Sequence, residues 1–457
     1  MERVAAEMDR RLIEKYGARA NMYVEYPLPR FWSEEFGQEG LQEGLHDLFS
    51  MPDVPVQLYV HMPYCRTQCL FCTCHVVISK KYDDVKAYLP YLYKEIALYR
   101  DFFARHGTLP NFKEIHLGGG SPTYLREQEF DEMIAEISTI ADIKNLDEFA
   151  LEIDPRGVKE DSMEYYAKKG INRISFGVQD FDLAVQKAVN RVQPAMLTER
   201  LMTPELRKLF PRGVNFDIIC GLPHQTVDSM RSTMETVVAM SPDRVCLNYL
   251  DFSEVSSSYH PHQLLMPKDA IPNNYARKLL FIEALNVLES GGYMRVGYDH
   301  FVKPSDDVAR AMTKHSMAWN RLGVTPGRCM DVLGIGVHSS SRLGSQYYSQ
   351  NVYELPRYFK AVSSGEFPVY KGMRLSRDDV MRREVIHGLR SYFMVNFGTF
   401  TRTYDINFPE YFRAELDALD AFEEDGIVYR SDSGMVISDM GRQFADRVCR
   451  IFDVYIR

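Results

Sequence analysis

The sequence lacks an excess of positive charge and any long apolar run, and each absence excludes a class of function. Its 457 residues carry 54 Lys and Arg against 63 Asp and Glu, which gives a formal net charge of −9. Binding to phosphates needs a basic face, so nucleic acid is not expected as a partner. No apolar run is long enough to span a bilayer, so no membrane partner is expected either.

Signals for export and for disulfide bonds are also absent. The acidic start Met1-Glu-Arg-Val-Ala-Ala-Glu does not have the form of a signal peptide. Half of the 8 cysteines lie too close together for all of them to form disulfides, because a bridge needs a definite Cα separation. Reduced, clustered cysteines are typical of the cytosol, and we predict a cytoplasmic protein.

The cysteine cluster is the densest chemical feature of the chain. It reads Cys65-Arg-Thr-Gln-Cys69-Leu-Phe-Cys72-Thr-Cys74. Thiolates at this spacing can share one turn and hold a metal ion or an iron–sulfur cluster, and chance clustering of buried thiols is the weaker interpretation. Zinc is the main rival, since four thiolates make a closed zinc site. We favour the iron–sulfur cluster, because Cys72 and Cys74 are awkwardly close for two ligands of one ion and because the motif directly follows an apolar strand.

Short β-branched runs alternate with amphipathic helical stretches from residue 56 onward, which predicts an α/β fold. The predicted strands are residues 57–61, 114–117, 149–153, 173–177, 214–219 and 244–249. The predicted helices include residues 86–104, 127–140, 160–169 and 227–240. Six strand–helix units indicate a parallel sheet that curls into a partial, TIM-like (β/α)6 barrel.

The rest of the chain is predicted to flank this barrel. The predicted parts are an N-terminal arm (1–50), the barrel (51–300), an irregular glycine-rich connection (301–375) and a mostly helical, winged-helix-like C-terminal domain (376–457). The arm is expected to hold a helix over residues 4–16. The C-terminal domain is expected to hold helices near 378–391 and 409–424 and a terminal hairpin. Winged helices often bind DNA, but the mixed charge of this block favours a packing or substrate-covering domain.

Polar residues and glycines follow almost every predicted strand, and in a parallel barrel ligands gather at the carboxyl ends of strands. The residues there are Tyr59 and the cysteine loop, Gly118-Gly-Gly-Ser-Pro-Thr123, Glu152 and Asp154, Gln179, Asp217, and Asn248-Tyr-Leu250. The three glycines are compatible with a tight turn or a ligand loop, and Glu152 with an ion pair to Arg156 or a ligand contact. His260 and His262 lie in a Ser- and Pro-rich loop and are expected to be solvated.

The spacing Cys-x3-Cys-x2-Cys resembles the signature of radical S-adenosylmethionine enzymes, and the additional Cys74 resembles the oxygen-independent coproporphyrinogen III oxidase family. The resemblance implies that Cys65, Cys69 and Cys72 bind a 4Fe–4S cluster and that Cys74 does not. It also implies that the open iron chelates S-adenosylmethionine, whose reductive cleavage yields methionine and a 5′-deoxyadenosyl radical.

The resemblance implies roles for further residues. The turn Gly118-Gly-Gly-Ser121 resembles the family's Gly-Gly-Gly-Thr-Pro-Thr, which receives the methionine amine. Glu152 would contact the ribose of the cluster-bound S-adenosylmethionine, and Gln179, Arg191 and Asp217 would hold a second S-adenosylmethionine. The predicted cofactor-binding residues are Tyr59, Phe71, Cys74, Gly119, Gly120, Ser121, Glu152, Gln179, Arg191, Asp217, Leu250 and Ser340, and the predicted catalytic residues are Tyr59 and Cys74.

Four segments depart from the family pattern, and all four would face the substrate. The family's Arg-Tyr-Thr-Ser-Tyr-Pro is Met22-Tyr-Val-Glu-Tyr-Pro27 here, and its Asn-Phe-Gln-Gly-Tyr is Asn320-Arg-Leu-Gly-Val324, with Leu322 at its centre. Its Asn-Tyr-Ala-His is Asn248-Tyr-Leu-Asp251, and Ser340 replaces an apolar residue. Carboxylate-bearing substrates favour arginines around them, so the arginine missing at Met22 would need a replacement; the candidates are Arg19, Arg30 and Arg321.

We therefore expect a radical S-adenosylmethionine enzyme that converts propionates of coproporphyrinogen III to vinyl groups by oxidative decarboxylation, in anaerobic haem biosynthesis. The alternative is a methyl or methylene transferase, or a cyclopropanase, that has the same cofactor sites and a different conjugated substrate. A third hypothesis is a non-catalytic haem-binding or haem-delivery protein, which the intact cysteine, glycine and acidic motifs disfavour. The expected partners are a small tetrapyrrole substrate and a reduced electron donor such as flavodoxin or ferredoxin.

Overall fold

The computed structural model describes residues 10–17 and 25–456, which form an α/β barrel-like domain and a helical C-terminal domain. The strands are β1 (Pro55–Met62), β2 (Tyr64–Cys65), β3 (Val77–Ile78), β4 (Asn111–Gly119), β5 (Glu148–Ile153), β6 (Arg173–Gln179), β7 (Val214–Cys220), β8 (Arg244–Tyr249), β9 (Met294–Val296), β10 (His300–Val302), β11 (Ala318–Asn320), β12 (Gly323–Thr325), β13 (Asp331–Ile335), β14 (Ser340–Leu343), β15 (Tyr347–Asn351), β16 (Val369–Arg374), β17 (Met394–Asn396), β18 (Val428–Ser431) and β19 (Gly434–Ile437).

The α-helices of the same residues are α1 (Arg10–Tyr16), α2 (Gly37–Phe49), α3 (Tyr82–His106), α4 (Glu127–Ile137), α5 (Glu160–Lys168), α6 (Leu183–Ala188), α7 (Met196–Glu199), α8 (Pro204–Arg207), α9 (Val227–Met240), α10 (Glu254–Tyr259), α11 (Asn274–Ser290), α12 (Asp307–Thr313), α13 (Leu355–Ser363), α14 (Arg377–Ser391), α15 (Phe397–Tyr404), α16 (Phe408–Tyr411), α17 (Arg413–Asp417), α18 (Asp420–Glu424) and α19 (Ala445–Ile451). Within the described ranges, no helix is both long and apolar enough to cross a membrane.

Twelve strands form one sheet in the order β16-β15-β14-β13-β1-β4-β5-β6-β7-β8-β10-β9. The strands from β13 to β8 pair in parallel, and the strands outside them pair antiparallel. The six predicted strands correspond to β1 and β4–β8, with helices between them, so the predicted parallel partial barrel is confirmed. The sheet is longer than predicted, because β13 adds a seventh parallel strand beside β1.

The connection over residues 301–375 is more regular than predicted. It contains the β11–β12 hairpin and strands β13–β16, which extend the main sheet. Gly334 illustrates why the glycines of this segment wrongly predicted an irregular connection. A Cβ at Gly334 would lie 2.4 Å from the carbonyl oxygen of Ser340, so this glycine permits the close approach of β13 and β14 and does not mark a loop.

Buried ion pairs close the barrel near the amino-terminal ends of its strands. The pairs are Arg244 with Asp306 at 2.9 Å, Arg173 with Glu148 at 2.9 Å and Arg328 with Glu114 at 3.0 Å. The carboxylates are almost completely buried, and buried charges are tolerated when they are paired. With this end filled by side chains, the opposite end of the parallel strands is left to form the large cavity of the barrel.

The described part of the arm runs from the C-terminal domain to that cavity. Helix α1 is the described portion of the helix predicted over residues 4–16, and residues 4–9 lie outside the described ranges. Lys15 Nζ and the Tyr16 hydroxyl bond to the carboxylate of Asp425, at 2.6 and 2.7 Å. Further along the arm, Leu28 and Arg30 line the cavity. The described residues of the arm thus contact the C-terminal domain at one place and line the barrel cavity at another.

The C-terminal domain has the predicted mixture of helices and a small sheet. Helix α14 begins at a capping box of Ser376 and Asp379, and the hairpin β18–β19 pairs with β17. The helix predicted over residues 409–424 is instead divided into α16, α17 and α18. The chain leaves the helical conformation at Phe412, whose φ of −102° and ψ of 29° separate α16 from α17.

Candidate active site

A cavity of about 970 Å³ lies at the carboxyl ends of the parallel strands. Twelve predicted site residues line it: Cys65, Cys69, Phe71, Cys72, Cys74, Gly119, Gly120, Glu152, Gln179, Arg191, Asp217 and Leu250. These residues come from six different strand–loop units and are far apart in sequence. The fold therefore gathers most of the predicted residues around one space.

Three predicted residues do not line this cavity. Tyr59 is not part of the cavity lining, and its hydroxyl shares a hydrogen bond of 2.9 Å with Nδ1 of His61. Ser121 is half-buried, and its hydroxyl lies 3.2 Å from that of Thr123. Ser340 is buried on β14, and its hydroxyl has no hydrogen-bond partner in the described part of the chain. Tyr59 and Ser121 thus adjoin the site, whereas Ser340 belongs to the extended edge of the sheet.

The cysteine loop presents its sulfurs to this cavity. Cys69 is buried, Cys65 and Cys72 are half-buried, and Cys74 is accessible from the cavity. Burial and the neighbouring thiols of Cys72 and Cys69 raise the pKa of Cys65 to about 12. A cationic centre is therefore needed to hold this group as a thiolate, as metal ligation requires.

The surroundings of Cys69 supply positive charge. Arg156 and Arg191 donate to its sulfur over 3.7 and 3.5 Å. Among the residues that the structure describes, no three His, Cys, Asp or Glu side chains converge closely enough to hold a single metal ion. The thiols of the described cysteine loop thus do not form a four-ligand zinc site, and an all-thiol donor set is the one that iron–sulfur clusters use.

Cys74 acts on the cysteine loop through Cys72. A side-chain hydrogen bond from Cys74 lowers the pKa of Cys72, against the effect of burial. The same bond and the charge of Cys72 raise the pKa of Cys74 well above its ordinary value. The two thiols are thus close enough to influence each other's ionisation.

The glycine turn after β4 lies in direct contact with the cysteine loop. A Cβ at Gly120 would lie 2.8 Å from the backbone of Pro63 and Tyr64, and one at Gly119 would lie 2.6 Å from the ring of His61. A Cβ at Gly118 would lie 2.7 Å from the carboxylate of Glu152. Glycine lets this turn pack closely against Glu152, His61 and Pro63, and Gly119 and Gly120 also line the cavity.

Glu152 is held as a carboxylate by two donors. His116 Nε2 donates to it over 2.9 Å and the amide of Gly119 over 3.1 Å. Burial by itself would raise the pKa of Glu152, but these bonds lower it below its ordinary value. The ion pair with Arg156 that this stretch suggested is made by Asp154, at 2.6 Å, and not by Glu152. Glu152 therefore faces the cavity as an acceptor without a cationic side chain.

His116 was missed by the sequence reasoning, although a signal was present. It lies on β4 two residues before Gly118, so both face the interior side of the strand. The same alternation on β1 places His61 two residues after Tyr59. Histidines at strand ends could thus have been included among the candidates.

Of the three residues predicted to hold a second S-adenosylmethionine, Arg191 and Asp217 form hydrogen bonds within the protein. Arg191 Nη2 donates to the carbonyl of Gly177 at 2.5 Å, and its Nε has no partner among the described residues. Asp217 accepts hydrogen bonds from Asn215 at 2.9 Å and Ser175 at 3.0 Å. Burial and the nearby charge of Glu152 raise the pKa of Asp217. Gln179 has a positive φ of 70°, which turns the chain at the end of β6.

The loop over residues 251–266 is hydrogen-bonded to the backbone of the cysteine loop. The sequence did not predict this contact. His262 Nε2 bonds to the carbonyl of Cys72 at 2.8 Å, so the expectation that it is merely solvated is wrong. Gln263 donates to the carbonyl of Phe71 at 3.1 Å. On the other side, Asn190 donates to the carbonyl of Gln68 at 2.7 Å. These contacts position the loop backbone through long-range partners.

The segments that depart from the family pattern lie in different places. Asp251 and Arg30 line the large cavity. Arg321 lies outside its lining and pairs with Glu25 at 3.1 Å. Leu322 does not line the cavity either. Met22 and Arg19 lie outside the described residues.

Two family models match this chain. The model of the radical SAM superfamily matches residues 59–237, and that of the HemN C-terminal domain matches residues 375–444. The oxygen-independent coproporphyrinogen III oxidase of Helicobacter pylori strain J99 is 33% identical over 449 residues, covering 97% of this chain and 96% of that protein. The protein of the same name from Escherichia coli K12 is 31% identical over 452 residues, covering 99% and 96%.

A solved structure is similar over almost the whole chain. It is that of coproporphyrinogen III oxidase (HemN) from Escherichia coli, whose description calls it a radical SAM enzyme. The TM-score is 0.88 at 30% identity, and the match covers 98% of this chain and 99% of that chain. The predicted fold class and the resemblance drawn from the cysteine motif are both confirmed.

The contact between His116 and Glu152 predicts a shift in pH dependence. In the variant His116→Leu, the effect of burial on Glu152 is opposed less strongly, since the Gly119 amide remains but the His116 donor is gone; the pKa of Glu152 therefore rises and the carboxylate is lost as the pH falls. We expect binding of S-adenosylmethionine to weaken at a higher pH than in the parent. Equilibrium dialysis of reconstituted protein from about pH 5 to about pH 8 measures this. His116→Gln keeps an N–H donor and should follow the parent; identical profiles for the parent and the Leu variant would contradict the prediction.

Proposed function

The chain belongs to the oxygen-independent coproporphyrinogen III oxidase family of radical SAM proteins, and on that premise we propose that it converts propionate side chains of coproporphyrinogen III to vinyl groups by oxidative decarboxylation. The reaction would serve anaerobic haem biosynthesis. The observation that carries this proposal is the gathering of the twelve predicted residues on one cavity, in a chain that is similar to such oxidases over nearly its full length.

Membership of the family implies a 4Fe–4S cluster and S-adenosylmethionine. When bound, they supply one-electron cleavage chemistry that yields an organic radical for hydrogen-atom abstraction. We propose that Cys65, Cys69 and Cys72 hold the cluster. The hydrogen bonds that Cys69 receives from Arg156 and Arg191 support this assignment, because they stabilise negative charge on the sulfur.

The residues around the glycine turn would orient S-adenosylmethionine. Gly119 and Gly120 line the cavity, where their backbone would meet the methionine end. Glu152 is ionised and points into the same cavity, where it can accept hydrogen bonds from ribose hydroxyls. Tyr59 and Cys74 lie just beyond this group and are proposed as catalytic residues.

A reduced flavodoxin or ferredoxin is proposed as the electron donor, and the cytoplasm as the location. Both proposals follow from the chemistry of the site. The thiols of the cysteine loop must remain reduced to bind iron, as cytosolic conditions ensure, and cleavage of the sulfonium bond needs an external electron.

The cysteine assignment predicts a division among the four clustered thiols. Changing Cys65, Cys69 or Cys72 to Ala should abolish both iron binding and reductive cleavage of S-adenosylmethionine, because each removes a ligand. Cys74→Ala should keep about four irons per chain, since Cys74 is not one of the three proposed cluster ligands. Iron analysis and visible absorption after anaerobic reconstitution check this. Loss of iron from Cys74→Ala, or a colourless protein with one zinc ion, would contradict it.

We also propose a second molecule of S-adenosylmethionine, bound by Gln179, Arg191 and Asp217. The width of the cavity supports this, because about 970 Å³ lies at the upper end of the volumes of small-molecule sites. Asp217→Ala should lower the number bound from two to one and leave the iron content unchanged. Equilibrium dialysis measures the stoichiometry, and one molecule in the parent would remove the proposal.

The substrate assignment predicts two products. Incubation with coproporphyrinogen III, S-adenosylmethionine and a reductant should yield protoporphyrinogen and carbon dioxide. If S-adenosylmethionine or the reductant is omitted, neither product should form. Chromatography of the tetrapyrroles and trapping of labelled carbon dioxide measure them. Transfer of label from the methyl group of S-adenosylmethionine into a product, without carbon dioxide, would instead indicate an alkyl transferase and defeat the decarboxylase assignment.

A further inference from the structure

A second, smaller cavity lies between the arm, the β11–β12 hairpin and helix α14. Its volume is about 40 Å³, and no residue lines both cavities. Because a water molecule needs roughly 10–15 Å³ on this measure, the cavity has room for a few waters or one carboxylate group but not for a pyrrole ring. We call it the arginine pocket.

The lining of the arginine pocket carries an excess of positive charge. Four arginines line it, namely Arg321, Arg342, Arg383 and Arg390, against the two carboxylates of Glu25 and Glu384. Burial of like charges in a small space is unfavourable unless an anion lies among them. Among the residues that line the pocket, arginines thus outnumber carboxylates by two.

Three of the four arginines have a carboxylate partner. Arg321 pairs with Glu25 at 3.1 Å, Arg383 with Glu384 at 3.3 Å and Arg390 with Asp299 at 3.0 Å. Arg390 also stacks on the ring of Trp319. The positive charge of each of these three guanidinium groups is therefore paired with a carboxylate of the protein.

Arg342 is the exception. Its side chain belongs to a residue that is only 9% exposed, no carboxylate of the described residues forms an ion pair with it, and its Nε has no hydrogen-bond partner among them. Burial, and then the neighbouring charge of Arg383, lower the pKa of Arg342. The carboxylates of Glu384, Asp331 and Glu25 interact with this charge from beyond ion-pair distance. A carboxylate in direct contact would satisfy the guanidinium with matching geometry.

We propose that the arginine pocket binds a propionate side chain of the substrate, with Arg342 as the main ligand and Arg383 beside it. The proposal rests on the proposed function, since it takes the substrate to be a tetrapyrrole with several carboxylates. One propionate would react in the large cavity while another is anchored in the pocket. A substrate propionate and a free small carboxylic acid both present a carboxylate, so the pocket's chemistry alone fits either of them.

The location of the pocket favours the substrate as the source. Tyr26 lines the pocket, and Leu28, two residues further along the arm, lines the large cavity. A span of two residues is at most about 7 Å, so both cavities lie against one short segment. A single macrocycle with carboxylates on its rim could therefore reach both.

The pocket is also built from positions that depart from the family pattern. Glu25 stands where the family has serine, and Arg321 stands where it has phenylalanine. These two departures pair with each other across the pocket. The pocket thus has a charge pattern of its own, in a chain that lacks the family's arginine at Met22.

The test uses binding, so that its outcome is separate from turnover. The variant Arg342→Met, prepared as reconstituted full-length protein, should bind coproporphyrin III about 10- to 100-fold more weakly than the parent, as expected for loss of one charge-assisted contact. The tetramethyl ester of coproporphyrin III has the same ring without the charges, and the variant and the parent should bind it equally. Fluorescence titration measures both.

Three controls keep the result interpretable. Arg342→Lys retains the charge and should lose much less affinity than Arg342→Met. Arg357→Met removes an exposed arginine on α13 and should bind as the parent does. Cleavage of S-adenosylmethionine without substrate should be unchanged in Arg342→Met, and its melting temperature should be equal or higher, because removing an unpaired buried charge does not weaken the fold.

The outcomes separate the possible sources of the carboxylate. Unchanged binding of coproporphyrin III by Arg342→Met, with loss of a stabilisation that sodium propionate gives to the parent, would mean a free carboxylate and would overturn the substrate assignment. Absence of both effects would overturn the site itself. If the parent does not decarboxylate coproporphyrinogen III but its binding of coproporphyrin III depends on Arg342, the proposed function fails and the arginine pocket stands.

Discussion

The site depends on a close backbone contact between the glycine turn and Pro63-Tyr64, the two residues that directly precede the cysteine loop. Gly120 meets Pro63 and Tyr64 at a distance that admits no side chain, and Gly118 meets Glu152 in the same way. This contact requires β1 and β4 to lie side by side in register. The position of the thiols, the exposure of the turn and the orientation of the carboxylate are thus set together.

Paired charges then determine the electrostatics around the thiols. Arg156 and Arg191 each contact both Cys69 and Asp154. Burial alone would raise the pKa of Asp154, but the two guanidinium groups lower it to about 2. The arginines are therefore held in place by a carboxylate that stays ionised. This arrangement stabilises negative charge on sulfur before any ligand binds, which is how a preorganised site limits the reorganisation that binding requires.

The arm and the C-terminal domain contribute a different kind of chemistry. Helix α14 and the β11–β12 hairpin lie at a distance from the cysteine loop in sequence, yet with Glu25 and Tyr26 they enclose a cationic space. Family membership accounts for the cofactor side of the large cavity. The arginine pocket holds Glu25 and Arg321, two charged residues at positions that depart from the family pattern.

Local sequence patterns determined the six parallel strands, the cysteine loop and most of the residues on the large cavity, because hydrophobic periodicity and motif spacing act over short distances. They did not predict β13–β16, where glycines such as Gly334 allow strands to approach. Nor did they predict the bond from His116 to Glu152, the clamp of His262 on Cys72, or the unpaired charge of Arg342. These features join residues far apart in the chain, and only packing of the whole sheet against the arm and the C-terminal domain decides which of them meet.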